Sequence, residues 1–159
     1  MNALFVDTAG WMACADGADA AHAKCCAVRD RALEAGQALV TTDFVVDETL
    51  TLIRFRLGVG AAEKWWQQID GSQRVRWERI DSARFERAHE LFFKYRDKGF
   101  SFTDCTSFAT MRDIRVTHAL TTDRHFRQAG FQIVPAIRVR ALAESERRRA
   151  SRSSSTVRR

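Results

Sequence analysis

Short apolar runs in this chain alternate with longer segments whose apolar residues recur at helical spacing. The first run, Ala3–Val6, ends at an acid, and a second run at Ala38–Thr41 follows after one long helical segment. Runs of four or five such residues are typical of buried strands, whereas spacings of three and four residues are typical of helices. Strands that alternate with helices across short loops favour a parallel sheet with helices on both faces. The sequence therefore predicts an α/β fold.

The other predicted elements continue this alternation. Further strands are predicted at Val75–Trp77, Val116–Thr121 and Phe131–Val134. Helices are predicted from Thr8 to Ala35 with a break near Gly17, from Phe44 to Leu57, from Ala61 to Ile69, from a cap at Asp81 or Ser82 to Gly99, from a cap at Thr103 to about Arg112, and from Arg124 to Gln128.

The positive charge of the chain is concentrated at one end. The 159 residues carry 26 Lys and Arg against 20 Asp and Glu, a net charge of +6. Residues 138–159 hold eight Arg and two Glu, which leaves 18 basic and 18 acidic side chains in residues 1–137. We therefore expect one folded domain over residues 1–137 and a basic, Arg- and Ser-rich disordered tail over residues 138–159.

Several functional classes lack their sequence signals. The longest uncharged stretch, Gln128–Ile137, is far shorter than the roughly 20 apolar residues of a spanning helix. The N-terminus has no basic opening and reaches Asp7 at once, unlike a secretory signal. A glycine-rich phosphate loop and a Gly-x-Ser-x-Gly elbow are both missing from the sequence, so P-loop nucleotide hydrolysis and acyl transfer have no support. We expect a cytoplasmic protein with no membrane partner.

The cysteines and histidines do not form a zinc signature. The four cysteines lack Cys-x-x-Cys spacing, and the four histidines are scattered. We interpret the cysteines as small thiols packed in the core of a protein from a reducing compartment.

Three acids stand where ligands bind in parallel sheets. Asp7 ends the first predicted strand, Asp123 ends the strand near Thr122, and Asp104 begins a helix. Open parallel sheets bind ligands outside the carboxyl ends of their strands. Each acid also has a purely structural explanation, as a turn or cap residue for Asp7 and Asp123 and as a partner of the helix dipole for Asp104.

Glu48 occupies an unusual position for a carboxylate. On the predicted helix it shares a face with Phe44, Val45, Leu52 and Phe55. A partly desolvated carboxylate must pair with a cation, bind a metal ion or take up a proton. No neighbour on the helix neutralises it well, so both a metal ion and a long-range salt bridge stay open as explanations.

Taken together, these acids predict a site for a divalent cation. Several carboxylates at one strand edge repel one another, and a divalent cation relieves that repulsion. Oxygen ligands without a set of Cys or His favour Mg²⁺ or Mn²⁺ over zinc. Two such ions can bind the attacking and leaving oxygens of a phosphodiester.

The candidate acids lie in four ordered segments of the sequence. These segments are Phe5-Val6-Asp7-Thr8, Thr42-Asp43-Phe44-Val45-Val46-Asp47-Glu48-Thr49-Leu50, Ser101-Phe102-Thr103-Asp104-Cys105-Thr106-Ser107 and Ala119-Leu120-Thr121-Thr122-Asp123-Arg124-His125-Phe126. In this order they resemble the motifs of PIN domains, most closely the VapC-type ribonuclease toxins of toxin–antitoxin pairs. The resemblance covers about residues 2–137, and each motif alone would be weak.

This resemblance implies a fold, an activity and partners. The implied fold is a three-layer α/β/α sandwich with a mostly parallel central sheet, and the implied activity is Mg²⁺- or Mn²⁺-dependent cleavage of RNA. By position, the catalytic and metal-binding acids are Asp7, Glu48, Asp104 and Asp123, with Thr8, Ser107 and His125 as supporting residues. The resemblance also implies a homodimer and a cognate antitoxin.

Two positions depart from the family pattern. His125 stands where many members have a further acid, and Ala9 stands where a Ser or Thr is common. The loss of an acid puts a second metal ion in question, and His125 is expected either to contact a phosphate or simply to face water.

Two other functions stay open from the sequence. The same fold can be a catalytically weak module that binds RNA or a protein without cutting, which His125 favours. An aspartyl phosphatase is the third possibility, although that chemistry commonly needs a second acid at the position of Ala9.

Overall fold

Residues 2–136 are described by the computed structural model, so Met1 and residues 137–159, including the predicted basic tail, lie outside the described residues. Within this range there are five strands and seven helices. The strands are β1 (Ala3–Val6), β2 (Ala38–Thr42), β3 (Val75–Glu78), β4 (His118–Leu120) and β5 (Gln132–Val134). The helices are α1 (Thr8–Ala15), α2 (His22–Glu34), α3 (Asp43–Leu57), α4 (Val59–Ile69), α5 (Ser82–Lys94), α6 (Phe102–Asp113) and α7 (Arg124–Gln128).

All five strands form one parallel sheet in the order β3-β2-β1-β4-β5. The predicted α/β fold with a parallel sheet is confirmed. β1 lies at the centre, and its residues Phe5 and Val6 are fully buried. The chain moves outward from β1 through β2 to β3 and then crosses to the other side of β1 for β4 and β5. Right-handed connections therefore place α1 to α4 on one face and α5 to α7 on the other.

Aromatic rings fill the core on either side of the sheet. Trp11 of α1 packs edge-on against Trp65 of α4, with ring centroids 5.8 Å apart. Phe108 of α6 packs against Phe126 of α7 at 5.0 Å. These contacts bury large apolar areas and hold α1, α4, α6 and α7 in place.

Helix α1 lies unusually close to the sheet at Gly10. A Cβ atom at this residue would stand 2.1 Å from the carbonyl oxygen of Leu120 in β4. Only glycine permits this approach. The close contact holds the start of α1, and Asp7 before it, against the end of β4.

Several element bounds differ from the sequence prediction. α6 is capped by Ser101 rather than Thr103, because Ser101 and Asp104 form a reciprocal capping box. α5 ends at Lys94 instead of Gly99, since the chain must turn there for Tyr95 to pack on Phe100. β4 is shorter than expected because the N–H of Val116 donates to the carbonyl of Met111 at the end of α6.

Two cysteines follow the predicted packing and two do not. Cys25 and Cys105 are buried, whereas Cys14 and Cys26 are partly exposed and line a cavity between α1 and α2. Among residues 2–136, no helix combines the length and the apolar character needed to cross a bilayer.

Candidate active site

A cleft of about 380 Å³ opens at the carboxyl edge of the sheet. The connection after β1 leads to β2 on one side, and the connection after β4 leads to β5 on the other side. The cleft lies between these two diverging connections, which is the usual position of ligands in open parallel sheets. The structure brings all seven sequence-predicted site residues to this cleft: Asp7, Thr8, Glu48, Ser107, Asp104, Asp123 and His125.

Asp7 lies at the bottom of the cleft. It follows β1 directly and caps α1, because its side-chain oxygen accepts a hydrogen bond of 2.9 Å from the N–H of Gly10. Only 5% of the residue is exposed. Burial raises the pKa of Asp7 from 3.8 to about 8, and the nearby charges of Asp123 and Asp104 add to the rise. A neighbouring cation would strongly stabilise the charged form of this carboxyl group.

We predict that the stability of the metal-free protein falls as the pH rises from about 4 to 8. Asp7 binds a proton more tightly in the folded chain than in the unfolded chain, where its pKa is near 3.8. Below pH 4 Asp7 is protonated in both states, so its burial costs no stability. Between about pH 4 and 8 only the unfolded chain releases this proton, and the free energy of unfolding falls by up to a few kcal/mol. Urea unfolding in chelator at several pH values measures this loss. An Asp7→Asn variant with the same pH profile as the wild type would contradict it.

Glu48 lines the same cleft as Asp7 from helix α3, nearly two turns beyond the cap of that helix at Thr42. It is partly buried, and the hydroxyl of Thr8 donates a short hydrogen bond to Glu48 Oε2. No cation among residues 2–136 pairs with Glu48. The sequence left a bound metal ion and a long-range salt bridge open as explanations for Glu48. The described residues do not form such a salt bridge.

Asp104 enters the cleft from the first turn of α6. Its Oδ2 accepts the N–H of Ser101 at 2.9 Å, which fixes the carboxylate. Burial raises the pKa of Asp104, and the charge of Asp123 adds to this effect. The capping box explains the position of Asp104, but it leaves the second side of the carboxylate directed to the cleft.

Asp123 and His125 approach the cleft from the end of β4. Asp123 caps α7 by accepting the N–H of His125 at 2.8 Å. The ring Nδ1 of His125 lies 3.1 Å from Asp104 Oδ2 and 3.3 Å from Asp123 Oδ2. The expectation that His125 simply faces water is therefore wrong: its side chain is 23% exposed and bridges two acids.

Ser107 places a hydroxyl group beside the acids, one turn after Asp104. The residue is 1% exposed, and its Oγ has no hydrogen-bond partner among the described residues. An unpaired buried hydroxyl is costly. Because Ser107 lines the cleft, a bound ion or a water molecule on that ion would supply the missing hydrogen-bond or ligand partner.

The donor set of the cleft fits a hard divalent cation. Ligand atoms of Asp104, Asp123 and His125 all lie within 4.8 Å of one another. Asp7 and Glu48 add carboxylates to the same cleft, and Ser107 adds an unpaired oxygen. Oxygen-rich sites of this kind suit Mg²⁺ or Mn²⁺.

Two charged residues of the cleft were not among the predicted site residues. Asp19 lies in the connection between α1 and α2, and no spacing in the sequence indicates that this loop folds back toward the site. Arg56 lies two turns after Glu48 on α3, and helical periodicity alone indicates that it approaches the cleft.

Comparisons with known proteins agree with the geometry. The family model of the PIN domain matches residues 4–132 of the sequence. The 23S rRNA-specific endonuclease VapC20, from two strains of Mycobacterium tuberculosis, is 34% identical over 130 residues, which cover 80% of this chain and 95% of the relative.

A solved structure matches the fold as well. The crystal structure of Mycobacterium tuberculosis VapC20, a sarcin–ricin loop cleaving toxin, aligns with a TM-score of 0.72 and 33% identity. The alignment covers 81% of this chain and 96% of that chain. The resemblance predicted from the four ordered motifs is confirmed. The chain belongs to the PIN domain family.

Proposed function

We propose that this protein is a metal-dependent endoribonuclease that hydrolyses phosphodiester bonds in RNA. One observation carries the proposal: carboxylates from four separate segments converge in one cleft, and burial together with mutual repulsion raises the pKa of the deepest one, Asp7. Without a bound cation, the repulsion between these buried carboxylates lowers the stability of the folded protein. Nucleases that use divalent cations gain catalytic power from the same arrangement.

We propose roles for these residues from the resemblance to the PIN domain family. Asp7, Glu48 and Asp104 would hold the principal ion, and Asp123 would bind a second ion or orient the attacking water. When bound, Mg²⁺ or Mn²⁺ would supply Lewis-acid stabilisation of charge on the phosphate and would activate water for attack.

The surrounding residues prepare this site. The Thr8 hydroxyl holds one oxygen of Glu48 and so fixes the direction of the carboxylate. His125 holds Asp104 and Asp123 at a fixed separation. Burial raises the pKa of Asp7 to about 8, so an ion that binds at neutral pH would displace a proton from this carboxyl group. Supporting contacts of this kind set the orientation of metal ligands.

The relatives support a toxin role with an RNA substrate. VapC20 is described as specific for 23S rRNA and as cleaving the sarcin–ricin loop. We propose that this chain is likewise the toxin of a type II toxin–antitoxin pair that acts on structured RNA in the cytoplasm. A cognate antitoxin and a homodimer belong to the same proposal, as does a nuclease domain bounded at residues 1–137.

A second candidate function is a PIN module that binds RNA or a protein without cutting it. His125 favours this alternative, because it stands between Asp104 and Asp123 and reduces the negative charge available to a second ion.

Metal removal tests the proposed function. We expect the wild type to cut a synthetic RNA hairpin carrying the sarcin–ricin loop in Mg²⁺ or Mn²⁺, and to stop cutting in excess chelator. Chelation removes the charge stabilisation that the acids alone cannot provide. Gel analysis of end-labelled RNA measures the products, and restored cutting after the ion is added back is the control. Hairpin binding without cleavage under both conditions would favour the binding module.

A further inference from the structure

The last turn of α3 carries two side chains that the proposed cleavage chemistry does not use. Phe55 is 81% exposed, which is the largest exposure of any large apolar residue in the described part of the chain. Its neighbour Arg56 is also exposed and lines the acidic cleft. A phenylalanine with this exposure buries little apolar surface and so contributes little to folding.

Helical geometry places Phe55 on the same side of α3 as Glu48. The two residues are seven apart, so they differ by only about 20° around the helix axis and by about 10 Å along it. Leu52 lies between them and also lines the cleft. Phe55 does not itself line the cleft, and this geometry places it beyond Leu52, outward from the acids.

Arg56 is the only lysine or arginine among the described residues that line the cleft. Its guanidinium makes no ion pair or hydrogen bond with residues 2–136. Five carboxylates line the same cleft: those of Asp7, Asp19, Glu48, Asp104 and Asp123. A polyanion that enters this cleft meets strong repulsion, and Arg56 is the group placed to attract one of its phosphates.

We infer that the last turn of α3 is a binding subsite for a nucleotide that flanks the cleaved bond, with Phe55 stacking on an unpaired base and Arg56 holding the adjacent phosphate. An exposed aromatic ring next to a free guanidinium is the pairing that single-stranded nucleic acid recognises. A protein segment that packs only on the ring would leave the Arg56 guanidinium without an anionic partner, and the test below includes a protein contact as an outcome. The inference rests on the proposed ribonuclease function.

Four variants separate stacking and phosphate contact from general surface effects. Phe55→Leu keeps an apolar side chain without a ring, whereas Phe55→Trp keeps the ring. Arg56→Gln removes the charge at the cleft. Arg54→Gln is the matched control, because Arg54 is exposed on the same turn but lines a different groove, between α3 and α4. The four variants change three exposed positions and leave the core intact.

Two measurements are made on the full chain. Binding of a short fluorescein-labelled single-stranded RNA is followed in an Asp7→Asn background with Mg²⁺, over a series of salt concentrations. Cleavage by the same variants with Asp7 intact gives kcat and KM separately.

We expect Phe55→Leu to raise Kd and KM about tenfold with little change in kcat, and Phe55→Trp to bind as the wild type does. Arg56→Gln should lower the slope of log Kd against log salt by about 0.7, the value for one phosphate contact on a single strand. Arg54→Gln should leave this slope unchanged.

The outcomes distinguish failure of the inference from failure of the proposed function. A wild type that cuts RNA while Phe55→Leu and Arg56→Gln bind and cut normally overturns the subsite alone. A wild type that never cuts overturns the nuclease function, and the binding data still decide on the subsite. A Phe55→Leu variant that changes only its sedimentation behaviour would assign the ring to a protein contact and would overturn the inference.

Discussion

Asp7→Asn should reduce RNA cleavage by at least about a hundredfold while leaving the protein folded. The effect is large because Asp7 is the most deeply buried of the four acids and stands closest to the start of α1. Loss of one ligand or one preorganised charge in a catalytic site typically costs about two to three powers of ten. Initial rates on end-labelled RNA with saturating Mn²⁺ measure the loss.

The fold should tolerate this change, and the metal-free variant should be more stable than the wild type at pH 8. Asparagine keeps the oxygen that accepts the N–H of Gly10, and it removes a charge that burial penalises. Asp81→Asn is the matched control, since Asp81 caps α5 in the same way by accepting the N–H of Arg84 at 2.8 Å but lies outside the cleft. An Asp7→Asn protein that cuts at the wild-type rate would show that the assigned site is wrong.

Gly10→Ala should destabilise the protein by about 3 kcal/mol or more, the upper range for overpacking. The new Cβ would lie 2.1 Å from the carbonyl oxygen and 2.9 Å from the carbonyl carbon of Leu120, which belong to the backbone of β4 and cannot rotate away. α1 would have to move off the sheet, and Asp7 would move with it. Urea denaturation followed by tryptophan fluorescence gives the free energy of unfolding.

Gly60→Ala is the matched control for this prediction. Gly60 is also a helical glycine, in α4, and a Cβ there would meet nothing within 4 Å. Alanine is the better helix former by about 1 kcal/mol, so this variant should be as stable as the wild type or slightly more so. Equal stability of Gly10→Ala and the wild type would mean that α1 does not approach β4 as closely as described.

The sequence predicted most of the architecture because its signals are local. The run Ala3–Val6 and the helical spacing from Phe44 to Leu57 depend on neighbouring residues alone, and both elements lie within one residue of their expected bounds. The cap of α6 was misplaced by two residues, since Ser101 and Thr103 both have hydroxyl side chains and only the capping box with Asp104 decides between them.

Part of the candidate site could also be predicted from the sequence, but for a different reason. The rule that ligands lie at the carboxyl ends of parallel strands points to Asp7 and Asp123 without knowledge of their separation. Glu48 was indicated by its incompatibility with an apolar face. The bridging role of His125 could not be predicted, because it depends on a contact with Asp104, 21 residues away in the chain. The approach of Asp19 is a loop property that no periodicity encodes.

Asp123 reaches the other three acids through β4, which pairs with β1 at the centre of the sheet. A chain that ends before β4 therefore lacks both Asp123 and the strand that closes one wall of the cleft. On the proposed function, the last fifth of the described residues completes the set of acids, so a C-terminally shortened product would not cut RNA.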